Sequence, residues 1–216
     1  MFSSYKNISY YKILYKKHGI CNKSIGWNRD NQDLRFKSLI SQLHSIGNLG
    51  NVIDIGAGFA DFYFFLKNCG VLFESYTGFE IVEPFYEFAT KRLEKINNAN
   101  LLNEDFLGFF GNADTIVASG IFGMGSGSDM EMIEYFEKVT SKSCNVAKKA
   151  IAFNFLSANS TIKSSNKSFQ PNIKHLVDIV SKYSKRYVFD HSYSPYEFTL
   201  TIFVDQTIDN LLWFET

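Results

Sequence analysis

An excess of charge of either sign is missing from this 216-residue chain: 22 Lys and Arg stand against 22 Asp and Glu. A formally neutral chain has no global positive field to hold a polyphosphate backbone or an anionic membrane surface. DNA and membrane partners are therefore not expected, and an RNA partner is disfavoured. Paired cysteines are missing as well. Cys21, Cys69 and Cys144 stand far apart with no CxxC, which argues against a disulfide framework and against a Cys-rich zinc site. No His/Asp/Glu cluster has metal-ligand spacing, so no metal is expected. Long apolar runs are also lacking. No stretch approaches the roughly 20 residues that span a bilayer, and the first residues scatter Lys6, Lys12, Lys16 and Lys17 among aromatics without the apolar segment of a secretory signal. A cytoplasmic address is the expectation.

What is present is core material: 45% hydrophobic and 17% aromatic residues, enough for one folded domain. Apolar residues at helical intervals predict a leading helix over 5–17, and Leu34, Phe36, Leu39, Ile40 and Leu43 predict a second that ends near Gly47. From there strand and helix alternate. Val52 to Ile55, SYTGFE, NANLLNEDF, ADTIVASG and AIAFNFLS read as strands, with helices from Ala60, over Glu83–Ile96 and over 131–147. A last helix, IKHLVDIVSKY, precedes KRYVFDHSY and YEFTLTIFVD, which follow each other too closely for a crossover and so pair antiparallel. The expected fold is α/β and Rossmann-like: seven strands, mostly parallel, a C-terminal antiparallel hairpin, helices on both faces and extra N-terminal helices. Within one domain, 1–47 forms a helical cap, 48–156 a cofactor-binding half and 157–216 an acceptor-side half. The polar segment 157–172 reads as a surface excursion or lid rather than a core element.

Chemistry concentrates at Asp54-Ile55-Gly56-Ala57-Gly58-Phe59-Ala60, where a strand hands over to a helix and small residues let a ligand approach the backbone. A dinucleotide fingerprint places its third glycine at position 61, which is Asp61, a like charge for a pyrophosphate. Nicotinamide binding is disfavoured on that ground. No Gly-Lys-Ser/Thr follows, which removes a P-loop.

The segment Asp54 to Ala60 resembles the first motif of the class I S-adenosylmethionine-dependent methyltransferases, with Ala60 in place of its last glycine. The expected effect of that exchange is looser helix-to-strand packing, not lost binding. Three further landmarks follow in order. Glu80, at the end of a strand and flanked by Phe79 and Ile81, matches the acid that grips the ribose hydroxyls. Asp105-Phe106 matches the acid and apolar residue at the adenine, with Asp105 preferred over the adjoining Glu104. Ser119-Gly120 lies at the fourth. Gly26-Trp27, Arg35-Phe36, Ser119 to Phe122, Phe153 to Ser157 and His191 to Thr199 are similar to one group of small bacterial methyltransferases.

The resemblance implies methyl transfer, an EC 2.1.1 type activity, with S-adenosyl-L-methionine as cofactor and S-adenosyl-L-homocysteine as product. It implies cofactor contacts from Asp54, Gly56, Ala57, Gly58, Phe79, Glu80, Ile81, Asp105, Phe106, Ser119, Gly120, Arg35 and Trp27. Arg35 suits the methionine carboxylate as a bidentate partner. Ser119, Phe122, Asn154, His191 and Tyr193 are the acceptor-pocket candidates, with His191 beside Tyr193 placed to take a proton from an acceptor hydroxyl. No Asn/Asp-Pro-Pro-aromatic tetrapeptide and no Pro-Cys pair is present, which disfavours methylation of nucleic-acid bases. A small-molecule acceptor methylated on a hydroxyl or carboxyl oxygen is the expectation, and an inactive cofactor-binding module or partner subunit the alternative. Whether the chain is a monomer or a homodimer is left open by the sequence.

Overall fold

A computed structural model describes residues 4–26, 32–123, 127–159 and 168–204. The helices are α1 (Ser4–His18), α2 (Gln32–Leu43), α3 (Asp61–Asn68), α4 (Glu83–Leu93), α5 (Asp129–Val146) and α6 (Ile173–Val180). The strands are β1 (Asn51–Ile55), β2 (Ser75–Phe79), β3 (Ala99–Leu102), β4 (Ala113–Ala118), β5 (Ala147–Leu156), β6 (Tyr187–Asp190) and β7 (Glu197–Phe203). They form one seven-stranded sheet in the order β3-β2-β1-β4-β5-β7-β6, in which β7 runs antiparallel to both of its neighbours and the other pairings are parallel. The expected architecture is therefore observed. Among the described residues, no helix is long and apolar enough to cross a membrane.

Alternation along each central strand decides which layer a side chain joins. Ile53, Ile116, Ile151 and Phe153 face α5 and α6 in one core cluster, which holds Phe136, Leu176 and Val180. Val52, Val117, Ala150 and Ala152 face the other way, onto Leu39, Phe62, Leu66 and Ala89 of α2, α3 and α4. Small residues on that second face let α2 lie close to β5. The aromatic run after the Gly-rich turn is core, as its helical spacing predicts: Phe62, Tyr63 and Leu66 are buried. Phe122, Phe155 and Phe198 stack in sequence, with ring centroids 4.9 and 5.2 Å apart.

Local signals set the element ends. Ser128 and Glu131 form a reciprocal capping box at the start of α5, and Pro84 sits in the first turn of α4, where its missing N–H is harmless. α1 is tied on by a separate small cluster, in which Tyr11, Tyr15 and Ile25 pack against buried Phe59, Val82 and Phe85.

One expectation needs correction. The segment 157–172 is not wholly a surface excursion, because Phe169 is buried in the main core cluster and Ser168 and Gln170 line the central cavity. The polar composition around Phe169 hid a single apolar anchor. Ala60 carries a backbone cost besides. It sits at φ 61°, the one non-glycine residue with positive φ among those described, so exchanging glycine for alanine is felt in the backbone.

β1 pairs with β2 on one side and with β4 on the other. The chain therefore reverses its direction of winding at β1, and the loops leaving β1 and β4 part to open a crevice.

Candidate active site

That crevice is a cavity of about 430 Å³, within the usual range for small-molecule sites. Its wall is made from what leaves the strands: Asp54 to Gly58 after β1, Phe79 to Val82 after β2, Glu104 to Phe106 after β3, Ser119 to Ile121 after β4 and Leu156 at the end of β5. α1 supplies Asn7, Ile8 and Tyr11, α2 supplies Gln32, Arg35 and Phe36, and the start of β7 supplies Glu197.

Gly56 has φ 75°, and a Cβ there would come 2.5 Å from Ile121 Cγ2. Only glycine fits that conformation and that gap. Gly58 turns its N–H to Glu80 Oε2 at 2.8 Å, while Val82 donates to Glu80 Oε1 at 2.7 Å. The Glu80 carboxylate thus ties the Gly-rich turn to the end of β2. Burial raises its pKa to about 7, against the lowering by those amides. Asp54 is buried and accepts a 2.7 Å hydrogen bond from the Tyr76 hydroxyl. Its pKa also rises to about 7, through burial first, with Asp61 adding to the rise and Tyr76 opposing it.

Asp105 caps the short turn after it, accepting from the Leu107 N–H at 3.0 Å, and faces the cavity beside Glu104. Phe79 and Phe106 meet edge to face with centroids 5.5 Å apart, and both line the cavity with Ile81. Ser119 Oγ is buried there without a hydrogen-bond partner among the described residues, a donor and acceptor left over for a ligand. Gly120 follows at φ 91°. The acids are the dominant charges. Arg35 is the cation among the described lining residues, and it forms a two-pronged ion pair with Glu197. The wall is therefore net negative and favours a cationic ligand.

Asp61 does not contribute to that field in the way the sequence implies. Its carboxylate is held by Arg92 Nη1 at 2.6 Å and by Gln32 Nε2 at 3.3 Å, and it is absent from the cavity lining. The objection to a dinucleotide rests instead on the lining acids, and on β7 standing between β5 and β6 where the dinucleotide-binding order has none.

No protein-family model and no curated protein matches the chain. Solved structures do. Magnesium protoporphyrin IX methyltransferase from Synechocystis PCC 6803 with bound S-adenosyl-L-homocysteine superposes with a TM-score of 0.63 at 14% identity, covering 94% of each chain. The N-methyltransferase NodS from Bradyrhizobium japonicum WM9, in complex with the same ligand, gives 0.66 at 13% identity over 89% of this chain and 97% of its own. An S-adenosylmethionine-dependent methyltransferase from Clostridium acetobutylicum ATCC 824 gives 0.62 at 9% identity over 94% and 100%. The fold is that of the class I S-adenosylmethionine-dependent methyltransferases.

On this methyltransferase fold the structure brings together Asp54, Gly56, Ala57, Gly58, Phe79, Glu80, Ile81, Asp105, Phe106, Ser119, Gly120 and Arg35 around one cavity. Trp27 lies outside the described residues. His191 and Tyr193, expected in the acceptor pocket, are corrected: neither lines the cavity. His191 Nε2 sits 2.7 Å from Ser157 Oγ, and its ring stacks on Phe198. Tyr193 joins Thr199, 3.2 Å away, in a polar cluster with Ser38 and Asn154 beneath α2. Both residues follow β6, the edge strand, which β7 separates from the crevice. Phe122 and Asn154 are likewise buried off the lining, in contact with the core and with Thr199. Among the described residues, no group of three or more His, Cys, Asp or Glu could hold a metal ion.

Sequence reasoning missed Glu197, Tyr76 and the polar stripe of α2. Arg35, Ser38 and Gln42, three and four residues apart on one helix face, meet Glu197, Thr199 and Asp190. The spacing is visible in the sequence; the partners, some 150 residues away, are not.

Proposed function

We propose that the protein transfers a methyl group from S-adenosylmethionine to a small-molecule acceptor, on a hydroxyl or carboxyl oxygen. The observation that carries the cofactor reading is the pair of buried acids, Asp54 and Glu80, at the ends of adjacent strands on one cavity, with a glycine cradle between them. A ligand that is cationic at one end and carries a diol at the other fits both acids. When bound, S-adenosylmethionine supplies a methyl group on a sulfonium, whose departure leaves a neutral thioether.

The residues present fit that ligand. Asp54 takes the ammonium, directly or through water. Glu80 has two carboxylate positions engaged by backbone N–H groups and keeps acceptor capacity for the ribose hydroxyls. Phe79, Ile81 and Phe106 offer apolar surface to the adenine and Asp105 its amino partner. Ser119 Oγ and Gly120 offer polar groups to the methionine portion, and Arg35, already paired with Glu197, is the cation of the described lining for its carboxylate. A negative wall also suits the sulfonium, and burial from water strengthens each of these contacts.

With His191 away from the cavity, no imidazole among the described residues lines the site. The acceptor side is bounded by neutral polar groups such as Ser168, Gln170 and Tyr196. An oxygen that arrives ionised, as in a carboxylate or an acidic hydroxyl, needs only alignment, which is the larger part of catalysis for an activated methyl donor. The inactive-module alternative is not favoured. Calorimetric titration with S-adenosylmethionine, S-adenosylhomocysteine and NAD tests the reading: both sulfur ligands bind and NAD does not. Absence of binding by both sulfur ligands to folded protein overturns it.

A further inference from the structure

Tyr76 is the second residue of β2 and its side chain is almost wholly buried, with its ring edge-to-face on Tyr63 at 5.4 Å. Two residues on, and so on the same face of the strand, stands Gly78. A Cβ at Gly78 would come 2.4 Å from Leu101 Cδ1, 2.8 Å from Ala57 Cβ and 3.3 Å from Tyr76 Cε1. The missing side chain leaves room for Leu101, Ala57 and the edge of the tyrosine ring, which reaches across to β1. There the hydroxyl donates to Asp54 Oδ2 at 2.7 Å. Burial, and then the nearby Asp54 charge, raise the tyrosine pKa well above its ordinary value, so the hydroxyl stays a donor throughout the accessible pH range.

We propose that Tyr76, passing over Gly78, is a positioning residue for the cationic end of the ligand: it engages one oxygen of Asp54 and fixes the carboxylate as the ammonium acceptor of the cavity. The proposal rests on the cofactor reading above. A buried carboxylate with a hydrogen bond to its ionised form keeps its charge at lower pH than one without. The other groups coupled to Asp54 are Glu80 and Asp61, the latter paired to Arg92. Arg35 with Glu197 faces the same cavity from α2 and β7, Tyr11 from α1, and Glu104 with Asp105 from the end of β3. None of these donates a hydrogen bond to Asp54.

The test is titration of wild type and Tyr76→Phe with S-adenosylhomocysteine and with 5′-methylthioadenosine, which lacks the ammonium and carboxylate, from about pH 6 to about pH 9. The variant keeps the ring and its packing. Its affinity for S-adenosylhomocysteine should fall about five- to tenfold at and below neutral pH and return to within about twofold of wild type by pH 9, because only the ionised fraction of Asp54 has changed. Titration of the ligand's own ammonium is common to both proteins and cancels in the ratio. Methylthioadenosine should bind both alike. Asp54→Asn provides the second arm: it should leave only the pH dependence that Glu80 and the ligand's own ammonium contribute, and adding Tyr76→Phe to it should change affinity less than about twofold at any pH. A loss independent of pH, a loss shared by methylthioadenosine, or a full Tyr76→Phe effect on top of Asp54→Asn overturns the role of Tyr76 while leaving the cofactor reading intact. Failure of wild type to bind S-adenosylhomocysteine overturns both.

Discussion

Arg35 of α2 and Glu197 of β7, 162 residues apart in sequence, close on each other as a bidentate ion pair in the wall of the cavity. Their side chains are 13% and 10% exposed. Removing one partner strands the other charge away from water. Glu197→Leu and Arg35→Met should each destabilise the protein by about 2–4 kcal/mol, and the two together by less than either single change. Urea denaturation of the four proteins checks this; additive losses would show that the two side chains do not act as a pair.

Glu80 serves the fold before it serves a ligand, because it accepts from the Gly58 and Val82 N–H groups. Glu80→Ala should weaken S-adenosylhomocysteine binding by about 1.5–3 kcal/mol and lower stability by about 1–3 kcal/mol, since two buried donors lose their partner. Glu80→Gln should recover part of the stability and little of the binding. Calorimetry and denaturation on the same preparations separate the two effects.

Both Asp54 and Glu80 have folded-state pKa values raised to about 7 from ordinary values of 3.8 and 4.5. A folded carboxyl with a raised pKa binds its proton more tightly than the unfolded chain does. Its stabilising contribution is therefore complete below about pH 4 and lost as the pH rises through about 7. Apo-protein stability should fall across that window, by at most about 4 kcal/mol per group. A cationic ligand selects the ionised acids, so its binding should release protons below pH 7 and release few above pH 8. Calorimetry in two buffers of different ionisation enthalpy measures the proton count; uptake instead of release contradicts the assignment.

Gly56→Ala places a methyl group 2.5 Å from Ile121 Cγ2 at a φ of 75°. It should cost about 1–3 kcal/mol of stability and abolish ligand binding. Adding Ile121→Ala relieves the clash but not the backbone, so part of the stability and none of the tight binding should return. A thermal melt with and without S-adenosylhomocysteine reads both.

His191 contacts Ser157 and Phe198 and does not line the cavity. His191→Ala should lower the melting temperature by a few degrees and leave S-adenosylhomocysteine affinity within about twofold of wild type. A loss of ligand affinity in a variant of unchanged stability would return His191 to the site.

The sheet and the residues that line its crevice at the strand ends were legible because the signals are local. Apolar alternation marks β1, β4 and β5, a strand running into small residues marks the turn at Gly56 to Gly58, and the acids that end β2 and β3 occupy strand ends by sequence position alone. Strand polarity then puts every one of those ends on the same edge of a parallel sheet. The acceptor side obeys no such rule. Where β7 inserts decides which residues reach the crevice: it carries Glu197 to the cavity beside Leu156 and leaves His191 and Tyr193 on the far side. Phe169 shows the same limit, since isolated apolar residues in a polar segment have no periodicity to betray them. The sequence by itself determined the fold class and the loop chemistry at the strand ends, because these follow from periodicity and from residue types in fixed local order. The tertiary structure alone decided that Asp54 answers to Tyr76, Asp61 to Arg92 and Arg35 to Glu197, because a side chain's partner depends on which distant backbone packs beside it, and single-chain spacing does not encode that distance.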